Sequence, residues 1–127
     1  FVYGKNQKQT MLVPRLINSI KNSKEITLDG ENGIKINPIH VSDAVKAIIK
    51  SIDINKSAKI NIAGNEVLSI KDIAETIATV VKKETVFLIR KNMTPNNLIG
   101  DNSLMNRLLI SPKISFYDGI QSMEKDI

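Results

Sequence analysis

Ile26-Thr27-Leu28-Asp29-Gly30-Glu31-Asn32-Gly33-Ile34-Lys35-Ile36-Asn37-Pro38-Ile39-His40-Val41-Ser42-Asp43-Ala44-Val45-Lys46-Ala47-Ile48-Ile49 is the stretch whose reading decides the fold. Ile26-Thr27-Leu28 predicts a short strand closed by Asp29-Gly30, and Gly33 supplies a second permissive backbone position in the turn that follows. Ile34, Ile36 and Pro38 alternate with Lys35 and Asn37, so the next piece is expected to be extended. Ser42 is then positioned to cap a helix whose residues Ala44, Val45, Ile48, Ile49 and Ile52 form one apolar face, expected to be buried.

Toward the N-terminus, Leu12, Val13, Leu16, Ile17 and Ile20 recur at helical spacing, with Pro14 tolerated only near the start, and the helix should stop around Asn22. Toward the C-terminus, Ile60 and Ile62 alternate with Lys59 and Asn61, which predicts a strand running into a turn at Ala63-Gly64-Asn65. Ser69 and Asp72 are spaced as a shortened capping box for a helix with Ile70, Ile73, Ala74, Ile77 and Val81 on its buried side. Val86-Phe87-Leu88-Ile89 is an unbroken apolar run of strand length, expected to be covered on both faces. A loop from Lys91 to Asn102 and two short helices, from Ser103 to Leu109 and from Ser115 onward, complete the chain. Strands interleaved with about five helices make the fold class α/β, in one domain over residues 1–127.

Composition narrows the chemistry. With 127 residues the chain can enclose one core. Cysteine is absent, which removes disulfides, thiolate metal sites and cysteine nucleophiles and suits a reducing, cytoplasmic compartment. No apolar run reaches the roughly 20 residues of a membrane span. The net charge of +5 comes from scattered lysines, and only Arg15, Arg90 and Arg107 offer a forked contact to phosphate. Aromatic residues are too few for base-stacking platforms, so a basic nucleic-acid-binding module is the weakest of the functional readings. His40 is the single histidine, which excludes multi-histidine metal sites. Asp43 is expected to act on the helix dipole rather than as a base. Asp29 to Gly33 lacks the ligand spacing of a calcium loop. The chain opens on Phe1-Val2-Tyr3 rather than methionine, which reads as the interior of a longer protein.

Several landmarks fall in a familiar order. Phe1-Val2-Tyr3-Gly4, Val13-Pro14-Arg15-Leu16-Ile17, Ile26-Thr27-Leu28-x-Gly30, Ile39-His40-Val41-Ser42-Asp43, Lys59-Ile60-Asn61-Ile62-Ala63-Gly64 and the closing Asp101 to Leu108, Pro112-Lys113-Ile114-Ser115 and Gly119-Ile120 resemble the second half of extended short-chain dehydrogenase/reductases. The resemblance is to their NAD-dependent epimerase/dehydratase branch. It implies a C-terminal substrate-binding lobe whose N-terminal Rossmann lobe, with its NAD(P) site, is not among these residues.

By that resemblance, Pro14, Leu16, Thr27, Leu28, Lys35, Asn37 and Arg90 are substrate-binding candidates for a nucleotide-activated sugar, and Tyr3 and His40 are cofactor-facing candidates. Core packing explains Leu16 and Leu28 as well, support of the following helix explains His40, and anchoring of a turn explains Tyr3. The family's catalytic Tyr-x-x-x-Lys is absent, since Tyr3 and Tyr117 are each followed four places on by glutamine. Gly30 and Gly33 do not form a dinucleotide loop. No catalytic residue, metal or cofactor is therefore expected for this chain alone, and a monomer is expected. Phe1 and Ile36 stand where the family places an asparagine and a phosphate-clamping arginine, the family's second arginine is missing between Pro95 and Gly100, and Leu109-Ile110 replace Gly-Trp. The rival reading is a non-catalytic ligand-binding or regulatory protein derived from the same fold.

Overall fold

The computed structural model describes residues 1–124. In chain order the elements are β1 (Val2–Tyr3), α1 (Leu12–Lys21), β2 (Glu25–Asp29), β3 (Lys35–Ile36), β4 (Ile39–His40), α2 (Val41–Ser51), β5 (Leu68–Ser69), α3 (Ile70–Val81), β6 (Val86–Arg90), α4 (Ser103–Leu108) and α5 (Phe116–Met123). The strands pair in three two-stranded units: β1 with β4 and β2 with β6, both parallel, and β3 with β5, antiparallel. The α/β class and the five helices expected from sequence are both present.

Helix α3 is central and packs between α1 and α5. Its residues Ile73, Ala74 and Ile77 meet Leu16, Ile17 and Ile20 of α1 and Phe116 and Ile120 of α5 in one core. The boundaries follow from local chemistry. Helix α1 ends in a Schellman motif: the N–H of Lys24 donates to Ser19 (2.8 Å), that of Ser23 donates to Ile20 (3.2 Å), and Ser23 takes the left-handed conformation with φ 52°. At the start of α3, Ser69 Oγ accepts from the Asp72 N–H (3.0 Å) while Asp72 Oδ2 accepts from the Ser69 N–H (2.9 Å), completing the capping box. Ser115 and Asp118 repeat the serine half of that pattern at α5. Gly30 and Gly33, with φ 68° and 72°, make the turn between β2 and β3 as expected.

Four expectations require correction. Helix α2 is capped by His40, not Ser42: Nδ1 of His40 accepts from the Ser42 N–H (3.3 Å), so Ser42 lies one position inside the helix. The face of α2 that packs inward is Asp43, Ala44 and Ala47, whereas Val45, Ile48, Ile49 and Ile52 are exposed. Amphipathic spacing predicts that a stripe wants cover; it does not say that the cover lies within the same domain. Ile60 to Ile62 form no strand: among the described residues they pair with none, and the Asn61 amide instead donates to the Asp101 carbonyl (3.0 Å). The run Val86 to Ile89 is a strand, but it is paired on one side only, and Val86, Leu88 and Ile89 are exposed while Phe87 packs against the core.

Candidate functional site

A cleft of about 390 Å³ opens between α1 and the β2–β6 ribbon, lined by Leu12, Arg15, Leu16 and Ser19 on the helix side and by Glu25, Thr27, Asp29 and Arg90 on the strand side. The parallel register sets Asp29 opposite Arg90. Arg90 Nε donates to Asp29 Oδ1 at 2.6 Å, and a second guanidinium nitrogen contacts the same oxygen, so the arginine is held in place although half exposed. Thr27 points out of the ribbon, while Ile26 and Leu28 point into the core, as strand alternation requires. The cleft therefore offers two guanidinium groups, two carboxylates and two hydroxyls over an aliphatic floor. Such a balanced lining suits a polar ring with mixed donors and acceptors better than a bare polyanion.

Of the sequence-derived candidates, Leu16, Thr27 and Arg90 meet in this cleft. Leu28 is one of the most deeply buried core residues. Pro14 lines a different hollow, with Gln7, Gln9, Ile17 and Asn18. Lys35 is exposed on β3, where its backbone bonds to the side-chain oxygen of Asn97 and to the N–H of Leu98. Asn37 is buried, and its amide works as a clasp: Nδ2 donates to the carbonyls of Gly64 (3.3 Å) and Gly100 (2.8 Å), and Oδ1 accepts from the Gly100 N–H (2.9 Å). Arg15 completes the cleft and was not among the candidates. Its signal in the sequence was its rarity as one of three arginines, and the helical spacing that sets it on the exposed side of α1.

Tyr3 and His40 are brought together on the paired strands β1 and β4, with ring centroids 5.4 Å apart in an edge arrangement. Tyr3 is 2% exposed, stacks at a tilt on Phe116, and donates its hydroxyl to the Ser115 carbonyl at 3.3 Å. Burial, aided by the charges of Glu66, Asp43 and Asp118, pushes its phenol far above the usual tyrosine range. This hydroxyl stays protonated at any physiological pH. Burial also lowers the His40 imidazole below its ordinary value, with Asp43 opposing and Lys46 assisting.

Beside this pair lies a second hollow, of about 480 Å³, whose wall includes Phe1, Val2, Tyr3, Met11, Ile36 and Val41. Gln7 also lines it, and Gln7 Oε1 is the one buried side-chain polar atom without a hydrogen-bond partner among the described residues. Ile36, in the position where an arginine is expected from the resemblance, is fully buried, so no phosphate clamp projects from there.

The β2–β3 turn does not have the geometry of a dinucleotide loop. The glycines of the β2–β3 turn lead into strand β3 rather than the N-terminus of a helix, so their amides are not aimed as a pyrophosphate cradle needs. Among the described residues, no group of three His, Cys, Asp or Glu side chains could hold a metal ion.

No family model and no curated protein matches the sequence. Solved structures do. UDP-glucuronic acid 4-epimerase from Bacillus cereus, in complex with NAD, superposes with a TM-score of 0.81 at 26% identity, over 98% of this chain and 40% of that one. dTDP-glucose 4,6-dehydratase from Bacillus anthracis, also with NAD, gives 0.78 at 21% identity. UDP-glucose 4-epimerase from Thermotoga maritima, with UDP-glucose, gives 0.79 at 17%; at these last two identities the likeness is one of fold. The chain thus spans about 40% of the length of the enzymes it matches.

Proposed function

We propose that this chain, which has the fold of the C-terminal part of the NAD-dependent extended short-chain dehydrogenases/reductases, is the lobe that holds a nucleotide-activated sugar in an epimerase or dehydratase. The NAD(P) and the acid/base pair are supplied by an N-terminal Rossmann lobe that these residues do not contain. The lobe alone is then a binding module without turnover. Hydride removal from the sugar and its return, or dehydration, belong to the whole protein. It works in the cytoplasm as a monomer when isolated, with no nucleic-acid or membrane partner. No described helix is long and apolar enough to cross a membrane.

The observation that carries this reading is the cleft between α1 and β2–β6, in a chain that superposes on an epimerase over nearly its whole length. Arg15, Thr27 and Arg90 hold the polar edge of the nucleotide, and Leu16 forms the floor beneath it. In a titration of the chain with UDP-glucuronic acid or UDP-glucose, the amide signals of Thr27, Leu28 and the first two turns of α1 are expected to move. R90A should weaken the apparent affinity by roughly tenfold, the loss expected for one charge-assisted contact. Static spectra at millimolar ligand would refute the reading.

A second reading, a non-catalytic ligand-binding protein on the same fold, is favoured by the full burial of Ile36, which leaves diphosphate recognition without its expected charge. In that case a free nucleoside would bind as tightly as the nucleotide sugar.

A further inference from the structure

Asn32 is the only asparagine of the chain that is followed by a glycine. With no Cβ on the next residue, the backbone nitrogen of Gly33 lies within reach of the asparagine's own side-chain carbon. Asp29-Gly30 and Asp118-Gly119 have the same spacing, but the fold closes both. The Gly30 N–H donates to the Arg90 carbonyl (3.1 Å), the Gly119 N–H donates to the Ser115 carbonyl (2.9 Å), and the Asp29 carboxylate is tied to Arg90.

Gly33 differs on each count. Among the described residues its N–H donates to nothing, and the exposed side chain of Asn32 makes no hydrogen bond, so it is free to rotate over its neighbour. Gly33 is largely covered, yet one side of it lines the cleft between α1 and β2–β6, where water and hydroxide reach it. The Asn32 carbonyl accepts from the Lys71 N–H (3.1 Å), and the Ile34 carbonyl accepts from the Ile70 N–H (3.0 Å). The first of these bonds draws electron density from the peptide that joins Asn32 to Gly33, which makes the Gly33 nitrogen a stronger acid. It also sets residue 32 beside the first turn of α3, whose dipole favours a negative charge.

We propose that Asn32-Gly33 is a self-modification site, at which the asparagine converts to aspartate and isoaspartate without an enzyme. The Gly33 nitrogen gives its proton to hydroxide and attacks Cγ of Asn32. The new N–Cγ bond closes a succinimide ring as the Cγ–Nδ2 bond breaks, and the leaving group takes up a proton and departs as ammonia. Water then adds to either ring carbonyl: opening on one side leaves aspartate, and opening on the other leaves isoaspartate. In sum a water is consumed, an ammonia is released and a neutral side chain becomes an anion. In isoaspartate the main chain also gains a methylene, and the turn has no slack for it, since even a Cβ on Gly33 would stand 3.1 Å from the Ile70 Cβ. Gly33, Ile34 and Ile70 all belong to the cleft wall, so the conversion reshapes that rim.

The test holds the folded chain at mildly alkaline pH and follows its intact mass, with peptide mapping and isoaspartate methyltransferase labelling to locate the product. The wild type should gain the mass difference between NH2 and OH at Asn32, at a rate proportional to hydroxide, and the amide signals of Gly33 and Lys71 should move as product accumulates. N32Q, whose longer side chain has to close a larger ring, should slow the gain at this position by at least about tenfold. Because the reacting groups are uncommitted in the folded turn, the chain should convert within about tenfold of the rate of a free peptide of residues 29–36. A folded chain slower than that overturns the proposal. So does a mass gain in N32Q equal to that of the wild type, or product found at Asn55, Asn92 or Asn96 in place of Asn32.

Discussion

Replacing Asp43 should unfasten the two halves of the domain. Its side chain is 1% exposed, and Oδ2 accepts from the backbone N–H groups of Lys113 and Ile114, each at 2.9 Å, while Oδ1 meets Lys46 Nζ at 3.4 Å. One carboxylate thus ties the first turn of α2 to the segment that leads into α5. D43A removes the acceptor and strands two donors, at a cost of about 3–5 kcal/mol by analogy with other broken buried charge contacts. D43N keeps an oxygen for the same donors and loses only the charge, about 1–2 kcal/mol. Urea titration followed by circular dichroism reads both, and D43A should also lower the melting temperature by roughly 10–20 °C for a domain of this size.

The pH dependence adds an independent check on the same residue. Burial pushes the Asp43 carboxyl up, but the Ile114 and Lys113 N–H groups and Lys46 together outweigh it and hold the carboxyl below its ordinary 3.8. A carboxylate more acidic in the folded state contributes stability that is complete above the unfolded value and disappears as pH falls through the folded one. The wild-type protein should therefore lose stability below about pH 4, and D43N should flatten that part of the curve. A D43A protein within about 1 kcal/mol of wild type, or an unchanged acid limb in D43N, would refute the reasoning.

Three further outcomes are expected. H40N should preserve the α2 cap, since asparagine caps well, and equal wild type within about 0.5 kcal/mol at pH 8. The wild-type His40 has its imidazole lowered from 6.5 chiefly by burial, so its contribution is complete above that pH and lost as pH falls through the folded value; H40N should lack this loss in denaturation curves taken below pH 6.5. G64A should cost about 3 kcal/mol or more in chemical denaturation, because a Cβ there would stand 1.9 Å from the Pro38 carbonyl oxygen, a backbone atom that cannot swing aside. S69A should cost about 1 kcal/mol by the same measurement through loss of the capping box at α3.

What the sequence made legible was what local chemistry controls. The stripes of α1 and α3, the Ser69–Asp72 box, the Ser115 start of α5 and the glycine turn after β2 depend on neighbours within a few residues, and all are found where the spacing places them. The misreadings share a different cause. The α2 stripe, the unpaired residues 59–62 and the half-covered β6 all concern what lies on the far side of an element, which periodicity does not encode. Serine is the commoner cap, which favours Ser42 on paper, whereas the helix begins two residues earlier, at Val41, and the His40 ring takes the N–H of Ser42 itself. In the site, Leu28 and Asn37 carried residue types compatible with binding, and only the three-dimensional packing reveals that one fills the core and the other clasps Gly64 and Gly100. Arg15 needed the opposite correction, since only the packing of α1 beside β2 sets it across from Arg90.

The α2 cap has a consequence for proton chemistry. A backbone N–H can only donate, so the His40 ring nitrogen facing Ser42 must present a lone pair, and in the neutral imidazole the hydrogen resides on the other nitrogen, Nε2. While the helix stays capped, this side chain can give a hydrogen bond to a passing carbonyl or hydroxyl oxygen, but it has no free lone pair with which to seize a proton or bind a metal.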